Sequence, residues 1–343
     1  MFTLTVVSAM GSASFASESS RTRRVLVVGI DGLRPDGVLR YAPKLRRFGE
    51  RHLATYKSKV AIPISAPSWA TIFSGLSYEH TGITNNAFTG ATLSKKDNQL
   101  AAGKRKTVFA HLKNHGLEYA VISTGTWNGI QRIANYGGLN NPHDHWARAS
   151  NNRTRNEHKA QSEGIAVAMK ALDTARLRLV TFYTHHVDNA GHIYGHDPDV
   201  LQYANAIQQC DADVAKLLDA IERREKRYPE DWLILITTDH GGSSRWKLEQ
   251  SRKGLAVLSK MDRDKQVNAG IPQRHLEGVH GLREDGIIDH EQTTTFILMK
   301  HGKRKGTLGR GRTNQDITPT VLHYLLPKRE KLRKRLDGRS LIQ

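Results

Sequence analysis

Short apolar runs alternate along the chain with stretches of helical periodicity. The runs Val25 to Asp31, Thr55 to Ala61, Tyr119 to Thr124, Leu177 to Thr184, Trp232 to Thr238 and Thr293 to Met299 predict strands. Between them, the spacing of apolar positions predicts helices over Pro43 to Arg51, Pro67 to Gly75, Thr107 to Asn114, His158 to Leu172, Pro198 to Arg224 and Thr318 to Leu325. This order argues for an α/β fold with a largely parallel central sheet and helices on both faces. Two polar stretches, Asp144 to Lys159 and Gly241 to Leu276, carry little periodicity and read as surface excursions. The second separates Asp239-His240 from His280, so residues 241–279 are read as a lid over a site or as an ordinary peripheral insertion.

The segment Ile62 to Gly75 reads as a short helix with a proline in its first turn and a glycine just past its end. Ser65 is expected just ahead of that helix, where unpaired backbone N–H groups and the positive end of the dipole favour an anion. Ser65 or Ser68 could equally serve only as the helix cap. Around this segment the chain sets carboxylates and imidazoles at the ends of its apolar runs: Asp31, Asp188 with His192, and Asp239 with His240. In open α/β sheets the ligand crevice lies at the carboxyl ends of the strands, so these residues look like metal ligands. The plainer alternatives are a helical surface pair for Asp188 and His192, and a turn or cap for Asp239-His240.

Composition narrows the class. A chain of 343 residues with 38% hydrophobic and 25% charged residues can bury one large core. Its 52 Lys and Arg against 33 Asp and Glu leave a formal charge of +19, which suits acidic substrates, nucleic acid or anionic surfaces. The densest basic clusters, Arg21 to Arg24, Lys303 to Lys305 and Lys328 to Arg335, read equally as solvated faces. Nucleic-acid binding is not favoured, because no helix-turn-helix, zinc-finger or aromatic RNA-binding signature accompanies the charge. The single cysteine, Cys210, excludes an internal disulfide framework and is expected to pack in a helix. Met1 to Ala16 is small and apolar and Ser14-Phe15-Ala16 suits a signal-peptidase site, although a positive n-region is missing. Residues 1–23 are therefore read as a signal peptide and flexible N-terminus, with a secreted or periplasmic location, and cytoplasmic otherwise, ahead of one catalytic domain over 24–343. No run reaches the roughly 18 apolar residues of a membrane-spanning helix.

Taken together, Ile30-Asp31-Gly32, the Ser65 helix, Asp188-Asn189-Ala190-Gly191-His192, Thr238-Asp239-His240-Gly241-Gly242 and Gly278-Val279-His280-Gly281 resemble the alkaline phosphatase superfamily. More narrowly, they resemble its type I phosphodiesterase and nucleotide pyrophosphatase branch, and Asp316 to Leu322 and Leu336 to Leu341 extend the likeness to the tail. The resemblance implies an α/β sandwich and two divalent metal ions, for which mixed carboxylate and imidazole ligands suit Zn2+. It assigns Asp31, Asp239, His240 and the Ser65 oxygen to one ion and Asp188, His192 and His280 to the other. His280 is preferred to His275 and His290, among 17 histidines, for its flanking glycines and the strand that follows. Asn86 falls where the branch places an asparagine that can hydrogen-bond a phosphate oxygen; Asn85 beside it is the alternative.

Ser65 stands where the branch commonly has threonine, and both offer a hydroxyl nucleophile. Sulfatases are the nearest competitor, but Trp69 replaces the arginine of their nucleophile motif, and Asp31-Gly32 and Asp239-His240 differ from their calcium ligands. Phe88, Trp127 and Tyr194 are candidates for an aromatic base pocket or, equally, for core or rim. The resemblance implies a phosphodiesterase or nucleotide pyrophosphatase acting on a small phosphate ester through Ser65 and two metal ions. The alternatives are a sulfatase or phosphomonoesterase of the same superfamily, or a basic anion- or nucleic-acid-binding protein on an inactive hydrolase scaffold.

Overall fold

Alternate residues of the run Arg24 to Ile30 face opposite sides of the strand they form, as the period of a strand requires. In β1 (Thr22–Ile30), Val25 and Val27 enter one apolar cluster while Leu26, Val28 and Ile30 enter another, so the strand is buried on both faces. The computed structural model describes residues 21–90, 92, 94–136, 141–148, 155–244, 278–280 and 290–342. The expected leader therefore lies outside the described residues, apart from Arg21 to Arg23, and Thr22 and Arg23 already belong to β1.

After β1 come α1 (Pro35–Tyr41), α2 (Pro43–Arg51), β2 (Leu53–Lys59), α3 (Ser65–Ser74) and α4 (Tyr78–Thr81). The middle of the chain forms α5 (Val108–Asn114), β3 (Glu118–Gly125), α6 (Gly129–Ala134), β4 (His145–Arg148), α7 (Arg155–Asp173) and β5 (Leu177–Thr184). Then follow α8 (His186–Tyr194), α9 (Leu201–Arg227), β6 (Glu230–Thr237), and the two-residue strands β7 (Ser243–Ser244) and β8 (Gly278–Val279). The chain ends with α10 (His290–Thr293), β9 (Thr294–Lys300), β10 (Gly306–Thr307), α11 (Ile317–Leu325) and α12 (Glu330–Arg333).

The main sheet has eight strands in the order β10-β2-β9-β6-β1-β5-β3-β4. It is parallel except for β9, which runs antiparallel to both β2 and β6. On one face Trp69, Phe73, Phe109 and Leu322 cover the sheet from α3, α5 and α11, and on the other Val38, Ile165, Val187 and Val214 cover it from α1, α7, α8 and α9. Cys210 is buried in α9 as expected. At the amino end of the central strands the buried Arg24 guanidinium donates to Glu230 at 2.9 Å and to the carbonyls of Leu177 and Thr174. That locks β1, β5 and β6 together at the edge opposite the site.

Two expectations change. Asp144 to Lys159 is not wholly an excursion: His145–Arg148 adds the edge strand β4, and α7 begins at Arg155. Of the lid assigned to 241–279, residues 245–277 lie outside the described residues, while its two flanks pair as β7 and β8. Among the described residues no helix is long and apolar enough to cross a membrane.

Candidate active site

Because β1, β5 and β6 run side by side in parallel, their carboxyl ends deliver Asp31, the start of α8 and Asp239 to one place. On the same rim stands α3. Ser65 is its first helical residue rather than the residue ahead of it: Ile64 occupies the cap position in extended conformation, with no side-chain cap bond. Neither serine caps the helix. The Ser65 hydroxyl lies 3.2 Å from His240 Nε2, and the Ser68 hydroxyl donates to the Asp239 carbonyl at 2.6 Å.

Each central carboxylate has one oxygen held and one bare. Asp31 Oδ2 accepts from Trp69 Nε1 at 3.0 Å and from the Tyr183 hydroxyl at 2.5 Å, whereas its buried Oδ1 has no hydrogen-bond partner. Asp239 Oδ1 accepts from the Gly32 amide at 3.1 Å, and its Oδ2 is likewise buried without a hydrogen bond. His240 faces both bare oxygens, with Nε2 at 3.6 Å from Asp31 Oδ1 and 3.1 Å from Asp239 Oδ2. Its Nδ1 lies 2.8 Å from the Gly241 carbonyl, which can only accept, so the proton sits on Nδ1 and Nε2 presents a lone pair. Burial holds this imidazole neutral, lowering it to about 4.

Asp188 stands between this group and a second one. Its side chain is 1% exposed, which rules out the helical surface pair, since only His192, at 44%, reaches solvent. Asp188 Oδ2 is 3.1 Å from His192 Nε2, and His192 Nε2 is 2.9 Å from His280 Nε2. His280 Nδ1 donates to the Pro63 carbonyl at 3.0 Å, which again leaves Nε2 as the acceptor, and its ring stacks on His240 at 4.0 Å. Ligand atoms of Asp188, His192 and His280 lie within 4.8 Å of one another, and so do those of Asp31, Asp188 and His240.

Three observations fit a cation at these positions. Buried acceptor oxygens without donors face imidazole lone pairs, an arrangement that repels itself unless a positive ion lies between. Burial, and then the neighbouring carboxylates, raise Asp31 to about 6 and Asp239 well above the usual carboxylate range, so negative charge gathered there is costly and a bound cation would relieve it. The ligand rings and carboxylates are in turn fixed by outer hydrogen bonds, as metal ligands are.

Sequence reasoning missed much of that outer layer. His196 is fully buried and places Nε2 2.9 Å from Asp188 Oδ1. His185 bridges Asp188 and Glu157, at 3.3 Å to each. Burial opposes a charge on His185, yet these two carboxylates raise it well above the ordinary histidine range, so an imidazolium braces Asp188. The available signal was the pair His185-His186 just ahead of Asp188 and His196 just after it, diluted among the other histidines. Trp69, read only as a departure from the sulfatase pattern, is the indole donor to Asp31.

Asn86, not Asn85, faces α3: its Oδ1 accepts from the Ala66 amide at 2.9 Å. Asn85 closes its own turn, accepting from Ala87 and donating to Thr89. Of the aromatic candidates, Phe88 and Trp127 come together with centroids 6.4 Å apart and planes 17° apart, Phe88 being buried and Trp127 half-buried. Tyr194 has no ring contact among the described residues.

The fold is an alkaline-phosphatase-like α/β sandwich. The profile of the type I phosphodiesterase / nucleotide pyrophosphatase family matches residues 25–254, and the chain belongs to that metal-dependent family of phosphodiesterase-like hydrolases. Among solved structures, an inactive variant of murine ectonucleotide pyrophosphatase / phosphodiesterase 5 in complex with AMP is similar at 16% identity and a TM-score of 0.60, over 88% of this chain and 95% of that one. The human counterpart gives 14% identity and 0.59 over the same shares. A 2-O GAG sulfatase is similar at 12% identity and a TM-score of 0.61, over 94% of this chain and 73% of its own. No curated protein matches the chain in sequence.

Proposed function

We propose that the chain is a two-metal phosphodiesterase in which Ser65 is the nucleophile. The observation that carries this reading is the Ser65 hydroxyl at the first turn of α3, 3.2 Å from His240 Nε2 and beside a rim of bare carboxylate and imidazole atoms. Asp31, Asp239, His240 and the Ser65 oxygen would hold one ion, and Asp188, His192 and His280 the other, with Zn2+ suited to both donor sets. Bound there, the pair would lower the pKa of the serine hydroxyl and neutralise charge on the phosphate.

The chain's own residues do the rest. In the first turn of α3 the Ala66 amide is taken by Asn86, Pro67 has none and the Ser68 amide donates to the Ile64 carbonyl, which leaves the Ser65 amide and the dipole of the ten-residue helix to favour negative charge beside the hydroxyl. Ser65 Oγ forms a bond to phosphorus as the bond to one alcohol breaks, the serine proton leaving with that alcohol by way of solvent, and water later cleaves the resulting serine phosphodiester to release the monoester. Asn86, anchored through Oδ1 to the Ala66 amide, has its Nδ2 left to donate to a non-bridging oxygen. A neutral amide suits a diester, in which one oxygen carries a substituent, better than a dianionic monoester, which favours an arginine fork. No arginine lies between Arg51 and Lys95.

The AMP bound by the murine relative supports a nucleotide as the substrate class. An extracytoplasmic location belongs to the same reading and rests on Met1 to Ala16. The test is Ser65→Ala: turnover of a nitrophenyl diester is expected to vanish with metal content and circular dichroism unchanged. Near-wild-type turnover in that variant would remove Ser65 from the chemistry.

A further inference from the structure

At the far end of α3, about 15 Å of helix away from Ser65 by the rise of its ten residues, lies a separate cavity of about 720 Å3. One wall is the turn Lys104-Arg105-Lys106 and the other is the C-terminal tail, with Lys328, Arg329, Lys331 and Arg335; α5 forms the floor. These seven cations are solvent-exposed, and among the described residues none of them forms an ion pair. The only carboxylate of the lining, Glu330, is already paired to Lys334 at 2.8 Å.

Such a concentration is not explained by the fold. Arg24, in the N-terminal basic cluster, is consumed by its buried bond to Glu230, whereas the tail cations point at another basic segment more than two hundred positions away in sequence. Like charges facing one another across a concavity lower stability and raise the local concentration of counter-ions. His111 in the floor registers that field: burial first, then Lys106 and His115, lower it to about 4.

We infer that this cavity binds a small ligand bearing several clustered phosphate groups, free or as a lipid headgroup. Its volume falls in the range of small-molecule sites, roughly 300–1,000 Å3. Cations from two walls can engage several phosphates at once, whereas a single phosphate can pair with only a few of the seven. The lining contains no Phe, Tyr or Trp, so it lacks the stacking surface on which single-stranded nucleic acids are held. The inference does not depend on chemistry at Ser65, because the cavity and the catalytic rim share no lining residue.

The test is titration calorimetry of the full chain with inorganic tripolyphosphate and with inorganic phosphate, at low and high salt. Tripolyphosphate should bind more tightly than phosphate and weaken as salt rises. One double charge reversal per wall, Lys104→Glu with Lys106→Glu and Lys328→Glu with Lys331→Glu, should each cost about tenfold or more in affinity, the scale of losing charged contacts. All four side chains are exposed, and a melting temperature no lower than that of the wild type, with unchanged diester turnover, would show that fold and catalytic rim persist. Equal binding by wild type and both reversals would overturn the inference, whether or not the protein hydrolyses diesters. Phosphatidylcholine vesicles with and without phosphatidylinositol bisphosphate separate the sources: wall-dependent sedimentation assigns a lipid headgroup, and binding of tripolyphosphate alone assigns a free ligand. Wall-dependent binding of a single-stranded oligonucleotide tighter than that of tripolyphosphate would also overturn it.

Discussion

Asp31 illustrates how single residues divide their labour here. One oxygen is tied by Trp69 and Tyr183 and the other is left bare, so the carboxylate is oriented before any ligand arrives. Trp69→Phe keeps most of the packing and removes the donor; metal affinity should fall by about 10- to 100-fold, read by competition with a chromophoric chelator. Unchanged affinity would mean that the indole only fills space. Proton competition follows from the same residue. In the metal-free protein Asp31 holds its proton up to about pH 6, because burial and Asp188 disfavour its charge. Binding must displace that proton below this pH, so Asp31 makes apparent affinity fall as pH drops through about 6, by about tenfold per pH unit for each proton displaced. Asp239, raised by burial and its carboxylate neighbours, and His192, opposed by burial but raised by Asp188, extend the fall to higher pH. His240, at about 4, adds a further loss only in stronger acid. A titration flat from pH 7 to 5 would contradict the assignment of Asp31. Asn86→Ala should lower diester turnover by about 10² to 10³-fold, the usual loss for one transition-state donor. An unchanged rate would leave the superfamily assignment intact and remove the argument for diesters.

At the scale of elements, α3 links core to chemistry. All ten of its residues are buried, and Trp69 packs so closely on β1 that a Cβ at Gly29 would lie 2.5 Å from its ring. Gly29→Ala should therefore cost about 1–3 kcal/mol in denaturant unfolding and loosen the Trp69–Asp31 bond, weakening metal affinity as well. Full stability in that variant would mean that the ring has room to shift. The apolar runs gave the central strands to within three residues at each end because both faces of each are buried, which makes the pattern continuous. The long helices were legible for the related reason that each has one apolar stripe. By contrast α8 escaped detection. Its residues His186 to Tyr194 include Asp188 and His192, which turn toward the site rather than the core, so the helix has no clean apolar period. The edge strand β4 is four residues long and too short for a pattern. Ser65 was placed one residue early, since nothing local distinguishes the first helical residue from its cap when no side chain caps the helix. The ligand candidates were readable as residues at strand ends; the bracing by His185, His196 and Glu157 was not, because it depends on where β3, α7 and α8 meet.

At the scale of the whole molecule, one end of the sheet is built for stability and the other for chemistry. Arg24, Glu230 and Arg224 form a buried charge cluster at the amino end of the central strands. Glu230→Ala should cost about 3–5 kcal/mol, the penalty for leaving a buried charge without its partner, seen as a lower midpoint in denaturant with activity per folded molecule unchanged. A loss below about 1 kcal/mol would show that water reaches Arg24. The opposite end gathers the bare carboxylates, the imidazoles and Ser65, and the same fold is shared by phosphodiesterase and sulfatase relatives, so the fold alone does not choose the reaction. On the proposed reading, what chooses it is the neutral Asn86 beside Ser65 and the imidazole-rich group on the rim. The most direct test is the purified, zinc-loaded protein assayed in parallel on a nitrophenyl diester, the matching monoester and the matching sulfate. The diester should turn over fastest and the sulfate not measurably; a protein that hydrolyses the sulfate or the monoester faster than the diester would contradict the account.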